Sequence, residues 1–132
     1  MSENVEKVRR AFEAFNRGDS EGMVANIAPD FEYVATGTVP GVRGAYRGVE
    51  GLRQFLESFW GEFDEPRVEI RELIEAGDQV VAALTFQGRG KQSGVETKWD
   101  IWHVLTLRDG LAVRNQAFTS ESEALEAAGL SE

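Results

Sequence analysis

The chain has 132 residues, no cysteine, one histidine and a net charge of −9 from 14 basic and 23 acidic side chains. That length suits one domain with a real core and no second one, so residues 1–132 are read as a single domain, and the acidic balance argues against nucleic acid and anionic membranes as partners. Without cysteine there are no disulfides, thiol nucleophiles or common zinc ligands, and no spaced carboxylate loop offers an oxygen site, so neither metal nor cofactor is expected.

Val5, Val8, Phe12 and Phe15 recur at helical spacing, with Ala11 and Ala14 between them, and Gly18 ends this first helix. Asp19 or Ser20 caps a shorter second helix carrying Met23, Val24 and Ile27, which Pro29 closes. "DFEYVA" then alternates Phe31, Tyr33 and Ala35 against Glu32 and Val34, the period of a strand. In "TGTVPGVRGAYRG", Gly37, Gly41, Gly44 and Gly48 allow sharp turns but lack the spacing of a phosphate loop. From Val49 a third helix presents Leu52, Phe55, Leu56, Phe59, Trp60 and Phe63 as a wide apolar stripe, the mark of a core-facing helix. After Pro66 come two strands joined by "AGDQ" and two more joined at Asp109-Gly110. Ser120 with Glu123 makes a capping box for a last helix, "SESEALEAAGL", stopped at Gly129. Helices first and antiparallel strands after indicate an α+β domain with helices over one face of a sheet.

The single histidine lies in "KWDIWHVLTLRDG". A three-residue turn with Gly110 in the left-handed position sets Leu107 opposite Leu111, and therefore His103 opposite Asn115. One face then carries Trp99, Ile101, His103, Leu105 and Leu107 with Leu111, Val113, Asn115 and Ala117, and is expected to be the covered one. The other carries Asp100, Trp102, Val104, Arg114, Gln116 and Phe118, too apolar for water and too polar for a core; that mixture predicts a homodimer built on the outer sheet face. An unpaired buried polar group costs ~1–3 kcal/mol, so His103 either bonds Asn115 within a core or stands on the wall of a pocket that the helices leave open. An imidazole, with an unperturbed pKa of ~6.5, suits proton transfer there.

The stretches "AFNRGDSEGMVANIAPDFEY", "YRGVEGLRQFL", "GDQVVA", "GRGKQSG", "VLTLRDGLAV" and "EALEAAGL", taken in order, resemble the SnoaL-like branch of the nuclear transport factor 2-like superfamily over nearly the whole chain. The resemblance implies a cone-shaped NTF2-like/cystatin-like roll: a curved, mostly antiparallel sheet packed on three helices from the N-terminal half, with a short C-terminal helix. Set against the steroid isomerases of that superfamily, Ala35 stands where they have a carboxylate base, Ala11 where they have an oxyanion-hole tyrosine and His103 where they have a protonated aspartate. The SnoaL cyclase has a histidine at the position of His103, but Ala117 replaces its catalytic aspartate. The Asp-Arg-Asp arrangement of the epoxide hydrolases does not assemble on the covered face. Neither isomerisation, cyclisation nor epoxide hydrolysis by those groups is therefore expected.

What the sequence leaves is a pocket protein of cytoplasmic type, with no secretion signal in "MSENVEKVRR" and no run of the ~20 apolar residues needed to cross a membrane. The expected ligand is a small apolar or aromatic molecule, polyketide-like or steroid-like. If the protein is an enzyme, the chemistry is proton transfer next to a carbonyl, of isomerase or cyclase type and without metal. His103 is then the acid or base, and Tyr33 or Asn115 donates to the oxyanion. Phe12, Phe15, Phe31, Ala35, Tyr46, Phe55, Phe59, Trp60, Trp99, Ile101, Leu105, Val113 and Ala117 are expected to line the pocket. Arg89 and Lys91 concentrate positive charge near the rim and are read as a solvated turn, the alternative being that they steer an acidic ligand. The alternative is a noncatalytic ligand carrier or dimerisation module with His103 as a structural wall residue.

Overall fold

The computed structural model describes residues 2–35 and 45–130. Helices α1 (Glu3–Asn16) and α2 (Ser20–Val24) precede strands β1 (Ile27–Ala35) and β2 (Ala45–Arg47) and helix α3 (Gly48–Glu62). Four strands follow, β3 (Phe63–Ala76), β4 (Gln79–Gly90), β5 (Glu96–Arg108) and β6 (Leu111–Phe118), and then α4 (Glu121–Ala127). Local chemistry sets these boundaries. The Ser2 hydroxyl accepts from Val5 N–H at 3.0 Å to start α1, Asp19 accepts from Gly22 N–H at 2.9 Å to start α2, and Ser120 accepts from Glu123 N–H to start α4.

The strands form one curved, open six-stranded sheet in the order β2-β1-β6-β5-β4-β3, antiparallel except where β1 runs parallel to β6. This is the α+β, NTF2-like and cystatin-like architecture expected from the sequence. On the inner face, α1 and α3 bury Val8, Phe12, Phe15, Leu52, Phe55, Leu56 and Phe59 against Val80, Ala82, Leu84, Phe86, Ile101 and Leu105. The outer face has its own smaller core, in which α4 lays Ala124, Leu125 and Ala128 over Val81, Val104 and Phe118. The apolar outer residues that suggested a homodimer are thus largely taken up by the chain's own last helix. Trp102 remains half-buried beneath Arg71, whose guanidinium carbon stands 5.1 Å from the ring centroid.

Several boundaries differ from the sequence reading. Strand β1 begins at Ile27 and runs through Pro29, because its pairing with β6 is interrupted between Ile27 and Glu32, where no ladder donor is needed. Phe63 opens β3 instead of closing α3, and β3 passes Pro66 through an irregularity between Asp64 and Arg67, with Glu65 at φ 50. Tyr46, read as part of a loop, lies on β2, paired with Tyr33. The turn roles of Gly37, Gly41 and Gly44 lie outside the described residues.

The register of the last hairpin is the correction that bears on the site. Asp109 and Gly110 both take positive φ, 54 and 79, so the turn has two residues and Arg108 faces Leu111. A bulge at Val113 then shifts the pairing again, so His103 faces Ala117 while Asn115 faces Leu105. The two-residue turn sets Ala112 inward where Leu111 and Val113 had been expected, and the bulge restores the parity beyond it, so Asn115 and Ala117 face inward as expected.

Candidate ligand-binding site

Between the inner face and the helices the packing is incomplete, and a cavity of about 120 Å³ remains. Helix α1 contributes Lys7, Val8, Ala11, Phe12 and Phe15; α2 and the turn after it contribute Met23 and Asn26. Leu52, Phe55, Leu56 and Phe59 come from α3, and the sheet supplies Ile27, Phe31, Tyr33, Val68, Leu84, Phe86, Trp99, Ile101, His103, Leu105, Leu107, Ala112 and Asn115. The wall is almost wholly apolar. For scale, a dry cavity of roughly 150 Å³ lined by aliphatic and aromatic side chains accepts benzene, so this one matches a single aromatic ring as it stands.

His103, Tyr33 and Asn115, the three chemical candidates, come together on that wall. Tyr33 and Asn115 are paired across the parallel β1–β6 ladder. The Tyr33 and His103 rings meet edge to face with centroids 5.8 Å apart, and Phe12 tilts against His103 at 5.7 Å from the other side. Asn115 Nδ2 donates to His103 Nδ1 across 3.1 Å, the diagonal contact that the shifted register permits. That bond leaves the ring proton on Nε2. Asn115 is buried, and its Oδ1 has no hydrogen-bond partner. A half-turn of the amide gives the complementary state, with Nδ1–H donating to Oδ1, Nε2 bare and Nδ2 unpaired. In either state the pair offers a ligand one donor and one acceptor.

Burial sets the charges. It pushes the His103 pKa down to about 4, so the ring is neutral at neutral pH. His103 nevertheless keeps some accessible surface, which opens on the cavity it lines. Burial, reinforced by Tyr46, raises the Tyr33 pKa well above its ordinary value, so the phenol stays protonated and can only donate or accept a hydrogen bond as a neutral group.

The remaining expected wall residues divide in two. Phe12, Phe15, Phe31, Phe55, Phe59, Trp99, Ile101 and Leu105 border the cavity, whereas Tyr46, Trp60, Val113 and Ala117 do not. Tyr46 stands behind Phe55, with ring centroids 5.2 Å apart, and Trp60 behind Phe15 at 5.7 Å. Val113 is the bulged residue, and Ala117, fully buried, fills the position across from His103. Ala35 pairs with Ala117, and its side chain lies outside what is described. Arg89 is engaged with Glu96 at 3.3 Å in a separate polar groove, and Lys91 sits exposed in the turn beyond it.

The sequence reading did not name thirteen of the wall residues, among them Lys7, Ala11, Asn26, Leu84 and Phe86. A signal existed for the first two: Lys7, Ala11 and Phe15 stand at i, i+4 and i+8, one stripe of α1. Among the described residues no group of three or more His, Asp or Glu side chains could hold a metal ion, and no helix is long and apolar enough to cross a membrane.

Comparison with known proteins agrees with this geometry. A search of curated sequences finds no match. An NTF2-like protein of unknown function from Burkholderia pseudomallei K96243 is 26% identical, covering 96% of this chain and 97% of that one, with a TM-score of 0.81. The structure of TerC co-crystallised with polyporic acid is 28% identical over 97% and 99% of the two chains, with a TM-score of 0.80. A protein assigned as a SnoaL-like polyketide cyclase, from Jannaschia sp. CCS1, shares the fold at 21% identity over 98% and 93%, with a TM-score of 0.76. The SnoaL-like domain matches residues 8–115, most of the chain and nearly every wall residue of the cavity, and the protein belongs to the SnoaL-like family.

Proposed function

We propose that this protein binds a small aromatic molecule in the inner cavity, with the His103–Asn115 pair meeting a hydroxyl or carbonyl on the ligand. The observation that carries the reading is the unpartnered Oδ1 of buried Asn115 on a mostly apolar wall. A buried acceptor left unmet costs ~1–3 kcal/mol, which a ligand donor recovers. The co-crystallisation of TerC, a protein of the same fold, with polyporic acid supports an aromatic ligand. A polyketide-like or steroid-like ligand exceeds the present volume of about 120 Å³ and requires Met23 or the α3 phenyl rings to move aside.

Proton transfer beside a carbonyl is the second reading, favoured by the convergence of His103, Tyr33 and Asn115. With the amide turned, His103 Nε2 is the base and Asn115 Nδ2 the oxyanion donor. Against it stands the low basicity of the ring: a general base works best with a pKa near the operating pH, and burial holds this one at about 4. Binding is therefore the leading function, with His103 as a recognition group. A homodimer, the other part of the proposal, must use what α4 leaves of the outer face around Trp102, Arg71 and Asp100; light scattering at micromolar concentration reports it as a doubled mass.

Titration with phenol, indole and toluene tests the binding reading, followed by calorimetry and by the His103 ring resonances. Phenol is expected to bind more tightly than toluene and to move the histidine signals. Absence of binding by all three contradicts the proposal.

A further inference from the structure

We propose that the cavity selects an aromatic acid, whose carboxylate sits at the end where Lys7 and Asn26 meet the β5–β6 turn. The inference rests on the cavity being a ligand site and names the class of ligand.

Lys7 is the one side chain of fixed charge among the described residues that line the cavity. It is only 23% exposed, and a half-buried ammonium in apolar surroundings needs a partner. Its Nζ donates to Gly110 O at 3.0 Å and forms an ion pair with Glu3 Oε1 at 3.7 Å, on a side chain that is 83% exposed and so weakly held. An ammonium has three donors, of which Gly110 O takes one, and a ligand carboxylate would compete with the exposed Glu3 for the rest. The head group lies close against the turn, so a Cβ at Gly110 would collide with Nζ. Asn26 approaches the same segment from the opposite side. Its carbonyl accepts from Ala112 N–H at 2.8 Å, and no described residue bonds its side-chain amide.

The ammonium is held to Gly110 O and the Asn26 backbone to Ala112 N–H, and both side chains border the cavity, so an ammonium and an amide are there for the two oxygens of a carboxylate. The site differs from the His103–Asn115 pair, since Leu107 and His103 are four residues or about 13 Å of strand apart. The wall between them, Leu105 with Phe12, takes the ring. A lysine that merely ties α1 to the hairpin would give no preference for anionic ligands.

The experiment compares benzoate, phenylacetate and 3-phenylpropionate with their primary amides by calorimetry at pH 7.5. For the acid of best length, the wild type is expected to bind about tenfold more tightly than the amide, as one charge-assisted hydrogen bond allows. Lys7→Gln should reduce the ratio to about one, and Lys7→Arg should keep most of it. Amides or toluene binding as well as the acids overturns the inference and leaves the ligand site standing. Failure of every acid, amide and toluene overturns both. If Lys7→Gln does not fold, the wild-type acid-to-amide ratio and the Lys7→Arg value decide alone.

Discussion

The two faces of β5 carry alternate residues of one strand, yet they are finished differently. On the outer face the polar groups are mostly met: Asp100 Oδ1 accepts from Thr85 Oγ1 at 2.9 Å and faces Arg71 Nε at 3.7 Å, while Arg71 donates to Leu84 O at 2.9 Å. The Trp102 indole N–H is the exception there. Helix α4 lies directly on the apolar outer residues and fills that side. On the inner face α1 and α3 leave a cavity, and Asn115 Oδ1 has nothing to accept from. Filled packing with satisfied polar groups reads as structure; a gap with an unsatisfied polar group reads as a place for something else.

Truncating one phenylalanine on each side gives the largest separation. Phe118 and Phe12 are equally buried, at 6% exposure. Phe118→Ala opens a void in the packed outer core and is expected to cost ~3–5 kcal/mol, whereas Phe12→Ala, already bordering a gap, loses fewer contacts and should cost ~2–3 kcal/mol. Urea denaturation of both variants measures the difference. Phe12→Ala should also admit two-ring ligands such as naphthalene, which the wild type takes poorly. Equal costs with no change in ligand size would erase the contrast between the faces.

The next effect comes from pH. Unfolded, the imidazole takes a proton below about 6.5; folded, it does so only near pH 4. The stability due to the neutral ring is therefore complete above pH 6.5 and is lost as the pH falls toward 4, by about 1.4 kcal/mol per unit. Between pH 7 and pH 5 the wild type should lose about 2 kcal/mol more than His103→Gln, measured by denaturation at both values. Identical pH profiles would place His103 in bulk water. A sharper version is Asn115→Asp, which sets a carboxylate against the ring and should raise the histidine pKa toward neutrality, read directly by NMR.

The smallest effect belongs to the outer face. Asp100→Asn removes a charge from a pair whose side chains are 56% and 33% exposed, so a loss of ~0–1 kcal/mol is expected by urea denaturation. A loss of several kcal/mol would show that the outer network, not packing by α4, holds that face.

Most of the order of elements was legible from local signals, namely the stripe of α3, the caps at Asp19 and Ser120, and the Asp109-Gly110 turn, whereas the three-residue β2 was read as loop. The inner face of β5 was legible too, since parity along a single strand cannot slip. Parity across the hairpin was not. A two-residue turn and the bulge at Val113 each move the register by one, and nothing in "GLAVRNQAF" marks the bulge. So the partner of His103 was misassigned as directly opposite while the contact with Asn115 itself forms diagonally. The docking of α4 was hidden for another reason. Ala124 and Ala128 at i, i+4 show an apolar side but not which surface receives it. Lys7 was passed over because a charged residue near a helix start reads as solvated.

The most direct test of the difference between the faces uses the lone histidine, whose ring protons give one isolated set of NMR signals to follow from pH 3.5 to 8 with and without phenol. A transition near pH 4 that shifts when phenol is added is the predicted result, that of a neutral ring on the wall of an occupied cavity. Titration near 6.5, indifferent to phenol, would contradict it.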